Sequence, residues 1–169
     1  VEVLKVLDLD GVILHVLKDE VPGGKVRGLV DGLARFDHMQ QHHGQHLLSS
    51  AFERLHRART LSFHLGEALC TVDLDRPPSR IGPEELRRAE AAANALVWRD
   101  LPVVAREHAP DELAALPLRK EAVKGSRVVV VAADGPGGRE VVDASPCGGT
   151  HPRRTGEVGT VAVLRGQRW

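Results

Sequence analysis

The spacing of apolar residues divides the first part of the chain into short strands and one long helix. Residues 1–17, VEVLKVLDLDGVILHVL, alternate apolar and polar positions around the turn signal DLDG, which predicts a β-hairpin. Residues 22–31, PGGKVRGLVD, predict a turn followed by another short strand. From about Asp37 to Arg59 the apolar positions recur with helical spacing and predict a helix.

The remainder mixes strands and helices in the same way. Residues 59–75 predict two strands around a turn near Gly66 and Glu67, and Pro83 suits the first position of a helix that runs to about residue 98. The further predicted elements are a strand at 101–107, a short helix at 110–117, a buried strand at 126–134, a strand leading into a glycine-rich loop at 138–157, and a final strand at 158–166. This order, with its hairpins, predicts an α+β fold in which an antiparallel sheet packs with helices.

Composition narrows the class of protein. The 169 residues carry 23 basic and 23 acidic side chains, so the net charge of zero excludes a general nucleic-acid coat, and no DNA partner is expected. Two cysteines are too few for a disulfide framework, and Cys70 is expected to be buried and unreactive. No secretory segment or long apolar run is found, so we expect a cytoplasmic protein without a membrane partner. The chain opens at Val1 in strand-like sequence, so we expect further residues ahead of it.

Four histidines crowd one predicted helix, at positions 38, 42, 43 and 46. At about 100° per residue, His42 and His46 lie roughly 40° apart on one face. The opposite arc carries Leu47, Leu48, Ala51, Phe52 and Leu55. The apolar arc should face the core, so we expect the two histidines to point towards a cleft or towards solvent. Histidines at i and i+4 are spaced to bind one metal ion, but His38 and His42 share this spacing, and the helix alone leaves the pair open.

A second pair with the same spacing lies in the loop SPCGGTH, where Cys147 and His151 flank two glycines. Glycines let a backbone fold tightly around an ion, and a thiolate is a soft ligand suited to zinc. Two known zinc chemistries are excluded. A metalloprotease needs Glu where His43 stands, and a nucleobase deaminase needs a second Cys where Thr150 stands.

These two motifs carry a family resemblance. MQQHHGQHLLS followed by CGGTHPRRTGEVG resembles the editing domain shared by alanyl-tRNA synthetases and their free-standing relatives, the AlaX proteins, and more distantly that of threonyl-tRNA synthetase. The resemblance runs from about Val26 to Arg165, and the segments LAALPLRKEA and FHLGEALCTVDLD resemble the free-standing form. It implies hydrolysis of the ester that joins serine or glycine to the acceptor end of the tRNA for alanine. It also implies a Zn²⁺ ion held by His42, His46, Cys147 and His151.

The resemblance further implies two parts, with residues 1–32 as the remnant of a truncated N-terminal β-barrel and residues 33–169 as the zinc-containing editing domain. Two departures from the family's pattern stand out. His43 takes the place of a small hydroxyl residue, and the glycine-rich segment of longer AlaX proteins is not found before the helix, which makes serine the chief expected substrate and weakens the expectation for glycine.

Other residues are candidates for contacts with the substrate. His64 is expected to face the pocket and to position water or the terminal ribose, with Phe63 and Leu65 on the other face of the strand. Gln45, beside a metal ligand, could bond the substrate. The candidate phosphate contacts are Arg119, Lys120, Arg153 and Arg154.

Two alternatives to a free-standing editing enzyme remain open from the sequence. Zinc with three protein ligands and an open position lowers the pKa of bound water to about 7, whereas four protein ligands make a site structural unless it changes coordination. The chain is therefore either catalytic or a zinc-stabilised tRNA-binding module without catalysis. The second alternative is the excised editing domain of a synthetase.

Overall fold

The computed structural model describes residues 1–21, 23–66, 69–77, 79–121, 126–135 and 138–167. The chain divides into two compact units, Val1–Val30 and Asp31–Trp169. All of the candidate metal ligands lie in the second unit.

The first unit is built on the predicted hairpin. Strand β1 (Val3–Leu9) pairs antiparallel with β2 (Val12–Leu17). Asp10 and Gly11 form the turn, both with left-handed φ, at 52° and 84°, and the Gly11 amide donates to Asp8 Oδ1 at 2.9 Å. The strand predicted within residues 22–31 is wrong, because residues 25–30 form no strand and pair with none of the described strands. The described strands close no barrel, and a barrel remnant stays a prediction.

The histidines lie on helix α1, which spans Gly32–His56. It begins five residues before the predicted start because Asp31 caps it. The Asp31 carboxylate accepts from the amides of Leu33 and Ala34 at 2.8 and 3.1 Å, which satisfies donors that a helix leaves unpaired at its first turn. The helix ends before Arg57, whose φ of 52° is left-handed.

The rest of the second unit follows the predicted order closely. Its elements are β3 (Thr60–Leu65), β4 (Cys70–Leu74), α2 (Pro83–Trp98), β5 (Val103–Glu107), α3 (Pro110–Ala115), β6 (Arg127–Gly135), β7 (Gly138–Pro146) and a 3-10 helix at Thr155–Val158. Glu67, in the predicted turn between β3 and β4, lies outside the described residues. All strand pairings are antiparallel, so the α+β class is confirmed, with β3–β4 and β5–β6–β7 as separate sheets rather than one.

The predicted final strand is wrong, and its backbone bonds elsewhere. Residues 159–167 form no strand. Instead, the Asn94 side chain on α2 donates to the Val161 carbonyl at 2.7 Å and accepts from the Val161 amide at 2.9 Å. Glu90 on the same helix accepts from the Val163 amide at 2.5 Å. These side chains replace the partner strand that an extended segment would otherwise need.

The main core holds α1 in place against the sheet. Leu47 of α1 packs with Leu96 of α2, Val131 of β6 and Val158 of the 3-10 helix, and its side chain is fully buried. The expectation that Leu55 shares this apolar face is wrong, since Leu55 is 50% exposed in the last turn of α1. Burial of the middle of α1 fixes the direction in which the histidines point.

Candidate metal centre

Four side chains from two distant segments meet at one point. His42 and His46 lie on successive turns of α1, while Cys147 and His151 lie in the loop after β7. Their ligand atoms all lie within 4.8 Å of one another, and Cys147 Sγ is 3.4 Å from His42 Nε2. His38 lies outside this cluster. His42 and His46 were expected to face a cleft or solvent, but both are buried, with Gly149 of the loop packed against His42.

The loop is shaped by its glycines and by one arginine. The Arg127 guanidinium donates to the carbonyls of Cys147 and Gly149, the latter at 3.0 Å. The Gly149 amide donates to Cys147 Sγ at 3.4 Å. A Cβ on Gly149 would lie 2.1 Å from Cε1 of His42, so only glycine fits there. The close approach of this backbone to α1 brings the two pairs together.

The donor set fits a metal ion. The buried Nε2 of His151 has no hydrogen-bond partner in the described part of the chain, as expected of a nitrogen whose lone pair serves a metal. Bonds of about 2.0–2.3 Å in a tetrahedral site separate the ligand atoms by roughly 3.3–3.8 Å, so a modest contraction of this cluster would complete one. Thiolate and imidazole ligands together suit zinc and other transition metals.

Electrostatics prepare the cluster for a cation. Burial by itself would raise the pKa of the Cys147 thiol, but the neighbouring imidazoles of His151, His42 and His46 outweigh it and lower that pKa from 9.0 to about 3. Burial would lower the pKa of His46, but Asp143 and Cys147 outweigh it and raise that pKa. The sulfur is therefore a thiolate at neutral pH, the form that binds metals.

A buried carboxylate stands behind His46. Asp143 of β7 is completely enclosed, and its Oδ2 lies 3.9 Å from Nδ1 of His46. It accepts from Ser145 at 3.1 Å and from the Arg119 guanidinium. Burial would raise the pKa of Asp143, but the proximity of His46 and the ion pair with Arg119 outweigh it and hold that pKa below its usual range. A carboxylate behind a ligating histidine orients the ring and raises its basicity.

This arrangement gives Arg119 a different environment from the one predicted. Its side chain is only 15% exposed, and besides Asp143 it lies 3.8 Å from Glu53 of α1. The Arg119 guanidinium, which was expected to contact phosphate, instead forms an ion pair with the buried Asp143 carboxylate.

His43 is a buried neighbour of the cluster that the sequence singled out only as a departure from the family's pattern. It is fully buried, and its Nδ1 lies 3.1 Å from Nδ1 of His151. Burial, with the neighbouring imidazoles of His151 and His46, lowers the pKa of His43 from 6.5 to about 3, so this ring is neutral. Its Nε2 is buried without a partner among the described residues.

The two other pocket candidates have contrasting positions. Phe63 of β3, rather than His64, stacks on His42, with ring centroids 5.5 Å apart. Alternation along the strand therefore turns the exposed His64 to the opposite face, the reverse of the expected orientation. Gln45 is buried, and its amide donates to Ser49 at 2.6 Å while its Oε1 has no partner in the described segments.

The remaining cationic candidates also differ from one another. Arg154 donates to the Asp100 carboxylate at 2.6 Å and to the Asp100 backbone carbonyl. Arg153 and Lys120 are exposed, and their side chains form no ion pair with any described residue.

Cys70, expected to be buried, is exposed and donates to Gln41 at 2.8 Å. None of the helices in the described ranges combines the length and apolar character needed to cross a membrane.

Similarity to known proteins identifies the class of protein to which this fold and this four-residue cluster belong. Residues 127–168, which contain β6, β7 and the Cys147–His151 loop, match the family described as the threonyl and alanyl tRNA synthetase second additional domain. Half of the cluster therefore lies within the matched segment, and the other half is supplied by α1.

Longer relatives extend this similarity over nearly the whole chain. The chain is 34% identical to the alanyl-tRNA editing protein AlaX-L of Pyrococcus horikoshii, over 94% of its own length and 39% of the relative. It is 36% identical to the alanine--tRNA ligase of Pyrobaculum calidifontis over 98% of its length and 19% of the ligase. It is 32% identical to the alanyl-tRNA editing protein Aarsd1 of Rattus norvegicus, over 85% of its length and 34% of that protein. The resemblance to alanyl-tRNA editing proteins is confirmed, and the chain spans well under half of each relative.

Proposed function

We propose that this chain is the editing unit of a free-standing hydrolase that deacylates mischarged tRNA(Ala) in the cytoplasm. Seryl esters are its chief substrates and glycyl esters its secondary ones. The observation that carries the proposal is that the ligand atoms of His42, His46, Cys147 and His151 lie close together, and that the segment with the last two matches the synthetase domain family. A zinc ion there would act as a Lewis acid on the ester or on a water molecule.

The chain's own residues hold and align the reacting groups. His42 and His46 are buried on α1, whereas Cys147 and His151 of the loop are only half-buried. We expect the ester to approach from the loop side, because the loop ligands are less buried than the ligands on α1. The buried Asp143 and Arg119 keep His46 in one orientation throughout the reaction.

Serine must be distinguished from alanine by its hydroxyl group. A site that hydrogen-bonds a hydroxyl rejects the analogue that lacks it, because a buried polar group is then left unpaired. Gln45 offers such a group, since its Oε1 is buried without a partner in the described residues, and we assign it the seryl hydroxyl. We assign no step to His64, because its side chain lies on the far face of β3.

The tRNA would be held by cations that are free to reach it. Arg153 follows the metal loop directly and Lys120 is equally exposed, so both are proposed as contacts to acceptor-end phosphates. Arg154 and Arg119 are engaged in ion pairs within the fold and are assigned structural roles instead.

A zinc-stabilised tRNA-binding module without catalysis is the second candidate. The observation that favours it is that the protein itself offers four ligand atoms. Structural zinc sites have four protein ligands and no open position for a substrate. In the editing enzyme one of the two half-buried loop ligands would have to give way to substrate. The third candidate is that the chain is the excised editing domain of a synthetase, and adenylation motifs in a longer parent gene would establish it.

Hydrolysis of seryl-tRNA(Ala), with alanyl-tRNA(Ala) as the control, tests the proposal on protein of measured metal content. We expect about one zinc per chain and selective loss of the seryl ester. Cys147→Ala should abolish hydrolysis and leave tRNA binding in place. Zinc with tRNA binding but no hydrolysis would establish the second candidate, and absence of zinc would refute both.

The phosphate contacts are tested by a matched pair of variants. Arg153→Met should weaken tRNA binding and reduce its salt dependence by about one phosphate contact. Arg154→Met should instead lower the thermal stability of the protein with less effect on the salt slope. Equal effects of the two substitutions on tRNA binding would refute the assignment.

A further inference from the structure

We propose that His43 is a positioning residue of the metal centre: it accepts a hydrogen bond from Nδ1 of His151 and so presents Nε2 of His151 to the metal. The inference rests on the metal centre proposed above. It concerns a residue outside the four-ligand set, at a position where the editing family's pattern has a small hydroxyl residue.

The geometry fixes which nitrogen carries each proton. The two Nδ1 atoms are 3.1 Å apart, so one of them must donate and the other accept. If Nε2 of His151 binds a metal, its proton stays on Nδ1, which makes His151 the donor. His43 then accepts through Nδ1 and carries its own proton on Nε2. The hydrogen bond selects the tautomer of His151 that a metal requires.

The surroundings of His43 favour this role over simple space filling. His43 is fully buried, and its Nε2, the nitrogen left with the proton, has no hydrogen-bond partner in the described residues. An unpaired buried donor lowers stability, and an apolar side chain of similar size would avoid that penalty. A polar group kept at a stability penalty beside a functional cluster is expected where it serves the site.

The arrangement also complements the carboxylate on the other side of the cluster. Asp143, on β7, faces Nδ1 of His46, while His43, on α1, contacts the loop ligand His151. His43 and His151 are separated by 108 positions in the chain, so their contact ties the loop directly to the helix. Outer partners of this kind typically change metal affinity about 10- to 100-fold when they are removed.

Metal affinity, measured by chelator competition without tRNA, tests the role with a graded set of variants. In His43→Leu the acceptor is lost, and we expect zinc affinity to fall about 10- to 100-fold. In His43→Asn, Oδ1 is bonded to Cγ as Nδ1 is in histidine, so affinity should return to within a few-fold of the parent. In His43→Gln the oxygen lies one bond further out, and affinity should stay low. His38→Asn, on an exposed turn of the same helix, is the matched control.

Two further readouts separate positioning from other roles. The metal-free His43→Leu protein should be about as stable to heat as the parent, since the unpaired Nε2 donor is gone while Nδ1 of His151 loses its acceptor. The absorption of the cobalt-substituted protein should keep its band positions, since all four ligands remain. Parent-like zinc affinity in His43→Leu would overturn the inference, and so would a changed cobalt spectrum in both His43→Leu and His43→Asn, which would make His43 a ligand.

Failure of this inference and failure of the proposed function give different results. A parent protein that binds no zinc refutes both. A parent protein that binds zinc and hydrolyses seryl-tRNA, with variants of unchanged affinity, refutes the role of His43 alone. The predicted order of affinities in a protein that does not hydrolyse the ester supports the role of His43 and refutes catalysis.

Discussion

Replacement of Gly149 by alanine should disable the metal centre through a single methyl group. The added Cβ would lie 2.1 Å from Cε1 and 2.5 Å from Nδ1 of His42. Carbon atoms in van der Waals contact are about 3.5–4.0 Å apart, so the ring or the loop must move by roughly 1.5 Å. His42 is buried and stacked on Phe63, which leaves the ring little room to retreat.

The expected magnitude follows from the energetics of overpacking. An extra methylene in a packed site destabilises by about 1–3 kcal/mol, which corresponds to roughly 5- to 150-fold in an equilibrium constant. The strain falls on the contact between His42 and the loop, which holds the two pairs of candidate ligands together. We therefore expect zinc affinity, measured by chelator competition, to fall by about tenfold or more, with a lower midpoint of thermal unfolding in the metal-loaded protein.

The neighbouring glycine provides a matched control. A Cβ on Gly148 would meet no atom within 4 Å, and neither glycine has a left-handed φ. Gly148→Ala should therefore bind zinc as the parent does. If Gly149→Ala also retained parent affinity, the close packing of the loop on His42 would be refuted as a requirement of the site.

Three other substitutions or treatments probe the same architecture. Asp143→Asn should weaken zinc binding about 10- to 100-fold in chelator competition, because the histidine ligand it faces loses its orienting charge, and unchanged affinity would contradict this. In the metal-free protein the pKa of Cys147 is about 3 and that of Cys70 is raised above its ordinary 9.0 by partial desolvation. Alkylation followed by mass spectrometry should therefore modify Cys147 at a rate independent of pH between about 5 and 8, while the rate at Cys70 rises with pH. Leu47→Ala should lower the free energy of unfolding in urea by about 2–5 kcal/mol, whereas Leu55→Ala, at a half-exposed position, should change it by less than about 1 kcal/mol.

Local patterns predicted most elements because each pattern carries its own physical cause. The i, i+4 spacing places His42 beside His46 on any helix, and the apolar run of β6 is buried as expected. The start of α1 was missed although Asp31 is a standard helix cap. The final strand was missed for a different reason. An alternating segment signals an extended backbone, but not whether its hydrogen bonds go to a strand or, as here, to Asn94 and Glu90 of a helix.

The outer parts of the site were beyond sequence reasoning because they depend on contacts between distant segments. Arg119 looked like a surface cation, and nothing in its local sequence signals the buried carboxylate that lies 24 positions away. The face of β3 that meets the cluster also depends on how the strand packs on α1, so the choice between Phe63 and His64 was reversed. His43 was visible only as an unexpected residue, and its partner became apparent only in three dimensions.

The separation of the two ligand pairs has a consequence for synthesis of the chain. His42 and Cys147 are 105 positions apart, so the cluster does not exist in a growing polypeptide until the loop that follows β7 has left the ribosome. An ion that joins such distant points also closes a long loop, which removes far more freedom from the unfolded chain than a local clasp would. Capture of the metal would therefore wait for the loop that carries Cys147 and His151, and a polypeptide released before that loop is made would be unable to retain the ion.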